Sequence, residues 1–368
     1  MKSILTNLCL TSAAIVVGFL AVEGSLRLLD AGGMYKSGIS RISDSVLRYR
    51  LPPNLFPEID SDGYRNPSNK GPFDIVILGD SHVYSYGVSA SDSFPRQLAQ
   101  LTGKSVYNFG MGGYGPAQYA FLTDRALALN PKTLVVSLFM GNDPINACEI
   151  ANLLEYWRTY FEYNNLVTEN CGNKPVVVTN TKKNTRSQIK AWLKGTRTGS
   201  LINQYLWLPL RNRASILLHS DENNIEIAIN DGDLQTIFPV WPNNTQAASD
   251  GIKITKYFLT QIKIKSMENK TSIVLAFFPS KQNVYLDILN GKGVKVSTEF
   301  VESVKAERRF IFDLMKFGRD QGFKIANASA PLLAAAAAKT VLYPPDDDSH
   351  PTPIGYLVYA QTVARQLP

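Results

Sequence analysis

Histidine is scarce in this chain, with 3 in 368 residues, at positions 82, 219 and 350. So few imidazoles leave a short list for any reaction that needs a base titrating near neutrality. Cysteine is equally rare at 3, which excludes a disulfide-stapled scaffold and, with so little histidine, any Cys/His metal cluster. Charge is thin too: 19% of residues are charged against 45% hydrophobic, and the net charge is +7. No nucleic-acid-binding motif accompanies the positive excess, so it reads as surface bias and no nucleic-acid partner is expected. Internal repeats are also lacking, and the run Ala334 to Ala338 is simply a good helix former. What remains is an ordinary globular composition, long enough for one large core.

The N-terminus stands apart. Ile4 to Val22 is apolar apart from Asn7, Thr11 and Ser12, and only Lys2 precedes it. That approaches the roughly twenty residues needed to cross a bilayer core. A cleaved secretory signal is the competing reading. No A-x-A-like site follows Val22, and Asn7-Leu8-Cys9 is a poor lipoprotein context, so residues 1–29 are expected to be a retained signal anchor and transmembrane helix. The expectation is a single-pass membrane protein whose body is extracytoplasmic, in the periplasm or at the cell surface. Lys2 weighed against Arg27 and Lys36 does not settle orientation. Cys148 and Cys171, the two cysteines of the body, admit two readings: a disulfide, consistent with export, or two separate buried thiols.

Residues 30–72 are rich in Ser, Asn, Pro and Gly and read as a lead-in linker. A domain over 73–368 follows. Phe73 to Gly79 is a short apolar run ending in Gly-Asp-Ser, the pattern of a parallel strand buried on both faces. Similar runs recur at Ser105 to Asn108, Thr133 to Phe139, Ser272 to Phe278 and Phe323 to Ala326. Helical stretches lie between them at Phe94 to Leu101, Ala117 to Leu129 and Val301 to Gln321, and Thr352 to Gln366 reads as a closing helix. Such alternation predicts an α/β sandwich on a parallel sheet. Residues 144–250 break the rhythm and read as an insertion. Within it, Lys182 to Arg213 carries eight Lys and Arg side chains, no acid, and interleaved Trp192, Tyr205 and Trp207. That stretch could suit an anionic membrane surface, but a solvated helix packing its apolar side on the domain is the favoured reading.

Acyl transfer by a serine enzyme needs a nucleophile, a base, a group orienting the base, and donors for the developing oxyanion. Ser81 follows directly on a predicted strand in Leu78-Gly79-Asp80-Ser81-His82, at the sheet edge where α/β folds place ligands. Among the histidines, His82 adjoins Ser81 and is poorly placed to turn back onto it, and His219 lies in the irregular insertion. His350 is left, in a turn-rich loop that opens the last helix, with Asp347 three residues earlier to fix its tautomer. Asn108 to Gly115 is glycine-dense, which suits oxyanion donation or simply a tight strand-to-helix turn; it matches neither dinucleotide nor Walker spacing. Gly141-Asn142-Asp143 follows the third strand, where the Asn142 amide is either an oxyanion donor or part of an Asx turn.

Taken together, Gly79-Asp80-Ser81, the glycines of Asn108 to Gly113, Gly141-Asn142-Asp143 and Asp347-x-x-His350 resemble, in order, the four blocks of the SGNH (GDSL-type) hydrolases. The resemblance spans Asp74 to Gln361 without the insertion. It implies a flavodoxin-like three-layer α/β/α sandwich with a parallel sheet. It also implies Ser81 as nucleophile, His350 as base and Asp347 as its partner. Ser81, Gly113 and Asn142 are the implied oxyanion donors. Two features depart from the commonest pattern: His82 follows the serine, and three consecutive aspartates make the choice of Asp347 depend on spacing. The expected activity is a serine esterase acting on O-acyl groups, chiefly acetate on a small molecule or an envelope glycan, with no cofactor and no metal. An O-acetyltransferase using the same residues and a non-catalytic polysaccharide-assembly protein on the same scaffold are the alternatives.

Overall fold

A computed structural model describes positions 10, 11, 14 and 16–22 and residues 41–66, 71–166, 171, 225–230, 233–237, 245–294, 296–344 and 348–368. Its centre is a five-stranded sheet whose neighbours all pair in parallel: β3 (Ile75–Leu78), β4 (Val106–Asn108), β5 (Thr133–Phe139), β8 (Ser272–Phe278) and β9 (Lys324–Asn327). The strand order is β4-β3-β5-β8-β9. Counted within the sheet this is 2-1-3-4-5, the order of flavodoxin-like doubly wound folds.

Alternation along each strand builds two cores. Val76, Leu78, Leu134, Val136 and Leu275 belong to one, with side chains from α3 (Pro116–Leu127), α4 (Asp143–Leu153), α6 (Thr245–Glu268) and α8 (Thr298–Asp320). Ile75, Ile77, Val135, Val274 and Ala276 belong to the other, with α2 (Phe94–Thr102), α7 (Lys281–Gly291), α9 (Ser329–Ala337) and α10 (Pro353–Ala364). Helices on both faces explain why these strands read as continuous apolar runs. Each buried Val, Leu or Ile contributes about 1.5–3 kcal/mol relative to exposure.

Two expectations need revision, and a third falls mostly outside the described residues. The linker expected over 30–72 is, across residues 41–66, a packed part of the domain. It holds a hairpin of β1 (Ile42–Asp44) and β2 (Arg48–Arg50), with Leu47, Tyr49, Leu51, Ile59 and Tyr64 buried. The indole of Trp157 donates to the Val46 carbonyl at 2.8 Å. Turn-rich composition concealed these anchors because they follow no helical or strand period.

The insertion expected over 144–250 is helical at both ends. It opens with α4 and α5 (Glu155–Tyr163), which bury Ala147, Cys148, Trp157 and Phe161, and its last residues begin α6. Cys148 and Cys171 form a disulfide. A hairpin of β6 (Ile225–Asn230) and β7 (Asp233–Ile237) lies between. The basic stretch 182–213 and His219 fall outside the described residues.

Most of the expected anchor, residues 1–29, also falls outside them. Among the described residues no helix is long and apolar enough to cross a membrane. The transmembrane helix of the expected fold therefore has no counterpart there.

Candidate active site

Strand β3 runs between β4 and β5, so the chain leaving it emerges at the switch point of the sheet. Gly79 makes the exit possible: a Cβ there would collide with the Val83 side chain. Asp80 then caps the short helix α1 (Ser81–Tyr84), its Oδ1 accepting the His82 N–H at 2.9 Å. Ser81 stands at the first helical position, 8% exposed. Its hydroxyl donates to Asp80 Oδ2 at 3.4 Å. The turn is gripped from outside by Arg65, which donates to the carbonyls of Tyr84, Ser85 and Val88 at 3.1, 2.8 and 2.8 Å and pairs with buried Glu58.

Beneath Ser81 lies a fully buried polar layer. Burial raises the pKa of Asp80 above the usual carboxylate range, opposed by the His82 N–H, the His350 charge and the Asn142 amide. Burial also pushes Asp143 well up, and the charge of Asp80 adds to the shift. Asp143 accepts from the Tyr119 hydroxyl and the Phe139 N–H, each at 2.9 Å. His82 stacks on Phe139 with ring centres 3.6 Å apart, and burial holds its pKa well below the usual value.

His350 reaches the site from the loop before α10. The Oδ1 of Asp348 lies 2.6 Å from His350 Nδ1 and accepts the His350 N–H at 3.0 Å, so one oxygen fixes both ring and backbone. That bond favours the tautomer with hydrogen on Nδ1, leaving Nε2 basic. Ser81, Gly112, Gly113, Asp348 and His350 line one cavity of about 360 Å³, completed by Arg41, Arg48 and Tyr49 from the hairpin and by Tyr86. Gly113 has φ +72, a conformation that favours glycine. Among the described residues neither its N–H nor that of Ser81 donates a hydrogen bond. The Tyr49 hydroxyl donates to the Gly112 carbonyl and anchors the hairpin to this loop.

The structure thus brings Ser81, Gly113 and His350 to one cavity. Asn142 caps α4 behind it, its amide acting on Asp80, and is not among the lining residues. Asp347 lies outside the described residues, and the carboxylate held on His350 is that of Asp348. Sequence reasoning missed Arg41, Arg48, Tyr49, Tyr86 and Arg65 altogether. The signal for the hairpin residues was Arg48-Tyr49-Arg50-Leu51, a short alternation inside a stretch dominated by turn residues.

No protein-family model matches the chain, and no curated protein does. It is similar to several solved structures. An extracellular lipase from Streptomyces rimosus matches at 12% identity over 80% of this chain and 100% of that one, with a TM-score of 0.42. An acetylxylan esterase from Geobacillus stearothermophilus, solved as a catalytic mutant, matches at 8% identity over 81% and 95%, TM-score 0.39. A member of the lipolytic G-D-S-L family from Veillonella parvula matches at 9% identity over 79% and 96%, TM-score 0.37.

Proposed function

We propose that this protein is a serine esterase of the SGNH type, with Ser81 as nucleophile and His350 as its base, acting on O-acyl esters. One observation carries the reading: a serine at the end of a central strand, a carboxylate-bound histidine and a left-handed glycine line a single cavity.

In the reaction, the Ser81 hydroxyl turns from Asp80 to His350 Nε2, which takes its proton as Oγ attacks the ester carbonyl. The N–H groups of Ser81 and Gly113 receive the oxyanion. His350 returns the proton to the leaving alcohol, and an acyl-serine remains. Water, deprotonated by His350, then attacks the acyl carbon. As the acyl C–Oγ bond breaks, His350 returns that proton to Ser81 Oγ, and the acid product departs and ionises in solvent. Asp348 keeps the imidazole oriented and stabilises its cation. Each step moves one proton between oxygen and nitrogen, so the cycle closes without a metal or cofactor.

The same proposal holds the domain at a membrane, outside the cytoplasm, through residues 1–29. Support comes from the apolar segment Ile4 to Val22, whose Val16, Val17 and Leu20 are exposed, and from the Cys148–Cys171 disulfide, which suits an oxidising compartment.

A fluorophosphonate probe tests the reaction. Stoichiometric labelling of Ser81, with para-nitrophenyl acetate turnover abolished in Ser81→Ala and His350→Ala, is the expected result. Failure to label Ser81, or equal turnover by wild type and Ser81→Ala, would overturn it.

A further inference from the structure

Beside the catalytic groups the cavity carries two cations whose role the ester chemistry leaves open. Arg41 and Arg48 both line it, one just before β1 and the other at the start of β2. Arg50, two residues on, is paired with Asp44 at 2.9 Å. Among the described residues neither Arg41 nor Arg48 forms an ion pair. The carboxylate that lines the cavity, Asp348, is already committed to His350.

The Arg41 guanidinium is held by two tyrosines, and the Arg48 backbone is fixed by its turn. The Arg41 guanidinium lies 4.2 Å over the ring of Tyr49, whose hydroxyl is tied to the Gly112 carbonyl next to the proposed oxyanion donor. Its charge also acts on Tyr86, whose ring meets that of His350 edge-on at 5.4 Å. Arg48 adopts φ +74, a conformation disfavoured for a side chain of its size, in a turn where Asp44 accepts the N–H groups of Val46 and Leu47. Tyr49 and Tyr86 therefore connect Arg41 to the oxyanion loop and to the base, and the charge of Arg48 acts on Tyr49 as well.

We infer that Arg41 and Arg48 form a receptor for an anionic group, so that the molecule bearing the ester also carries a carboxylate or phosphate close to it. The inference rests on the esterase reading of Ser81. A planar guanidinium matches either oxyanion with paired donors, and two of them compensate one bound anion in a cavity of small-molecule size. A neutral acyl ester would offer neither guanidinium an anionic partner.

A matched pair of esters tests this: para-acetoxybenzoate and its methyl ester share the acetyl group and the phenol leaving group and differ by one charge. Wild type is expected to favour the free acid in kcat/KM by about tenfold or more, a preference that added salt erodes. Arg41→Gln and Arg48→Gln each lower that ratio, and the lysine variants retain part of it. Para-acetoxyphenyl phosphate separates a phosphate-reading from a carboxylate-reading site. Equal kcat/KM for acid and methyl ester in wild type overturns the inference. So does a loss by the same factor on both esters in the arginine variants, because the cations would then act on the reacting carbonyl. Calorimetric titration of Ser81→Ala protein keeps the two claims apart. If neither ester is turned over the esterase reading fails, while preferential binding of the acid, lost in Arg41→Gln and Arg48→Gln, still supports the receptor. Absence of that preference removes it.

Discussion

His82 lies against His350, their ring centres 4.9 Å apart and their planes inclined by 31°. His82 is fully buried, Nδ1 is 3.4 Å from the Tyr359 hydroxyl, and Nε2 has no hydrogen-bond partner among the described residues. Burial first, and the neighbouring His350 second, push its pKa well below the ordinary 6.5. A charge on His82 would cost both desolvation and repulsion from His350, so His82 remains neutral.

That depression makes stability depend on pH with a defined sign. Below 6.5 the unfolded chain binds a proton at His82 that the folded chain refuses, so stability is lost as pH falls, by up to about 1.4 kcal/mol per pH unit. His82→Phe keeps a ring on Phe139 and removes the proton site. Urea unfolding at pH 7.5 and 5.0 should therefore show the variant gaining roughly 2 kcal/mol on wild type as pH drops. An unchanged difference at the two pH values would show that His82 is not the buried neutral base described.

Asp143 has the opposite sign. Burial and the charge of Asp80 raise its pKa, so above 3.8 the folded state keeps a proton the unfolded state has released. Its contribution to stability consequently falls as pH rises. Asp143→Asn supplies an oxygen for the Phe139 N–H and a donor toward Tyr119, whose own hydroxyl can donate to the Tyr114 carbonyl at 3.3 Å. The variant is expected to be nearly as stable as wild type at pH 4 and relatively more stable at pH 8, measured by thermal midpoints across that range. A loss that grows toward high pH would contradict the raised pKa.

How far these groups could be read from sequence follows from what each depends on. The five sheet strands were legible because both faces are buried, which makes each a continuous apolar run; Thr133 to Phe139 coincides with β5. Ser81 was legible because a strand end positions it. Asp80 and Asp143 were not legible as a coupled buried pair, because an acid after glycine or asparagine reads equally well as turn chemistry. The hairpin eluded the reading because two three-residue strands are too short for alternation to stand out. Three aspartates in a row precede Ser349, and which one faces His350 depends on loop dihedrals that spacing does not encode.

The carboxylate at His350 can be assigned by mutation. With Oδ1 of Asp348 at 2.6 Å from Nδ1, Asp348→Asn favours the wrong tautomer and should lower kcat on an acetyl ester by on the order of 10²–10⁴ with little change in KM. Asp347→Asn is the matched control and should retain most of the activity. If instead Asp347→Asn is crippled and Asp348→Asn is active, the orienting role belongs to Asp347.

Arg65 links the segment misread as linker to the turn that carries Ser81, the proposed nucleophile. Among the described residues its side-chain hydrogen bonds all run inward: Nε to Glu58 Oε1 at 3.1 Å, Nη1 to the carbonyls of Tyr84 and Ser85, and Nη2 to the Val88 carbonyl and, at 3.5 Å, to Glu58 Oε2. Both charged side chains are almost completely buried, at 1% and 3% exposure. A lysine has too few donors and the wrong geometry to satisfy those acceptors. Arg65→Lys should thus leave Glu58 and several carbonyls under-bonded and cost about 3–5 kcal/mol of unfolding free energy. Ser85, which closes the turn after Ser81 with φ 63, receives one of these bonds. Loss of Arg65 should therefore release the turn as well as weaken the fold. At a temperature where the variant is still folded by near-ultraviolet circular dichroism, fluorophosphonate labelling of Ser81 should be slowed more than tenfold. Normal labelling by a folded Arg65→Lys protein would confine the role of this residue to stability.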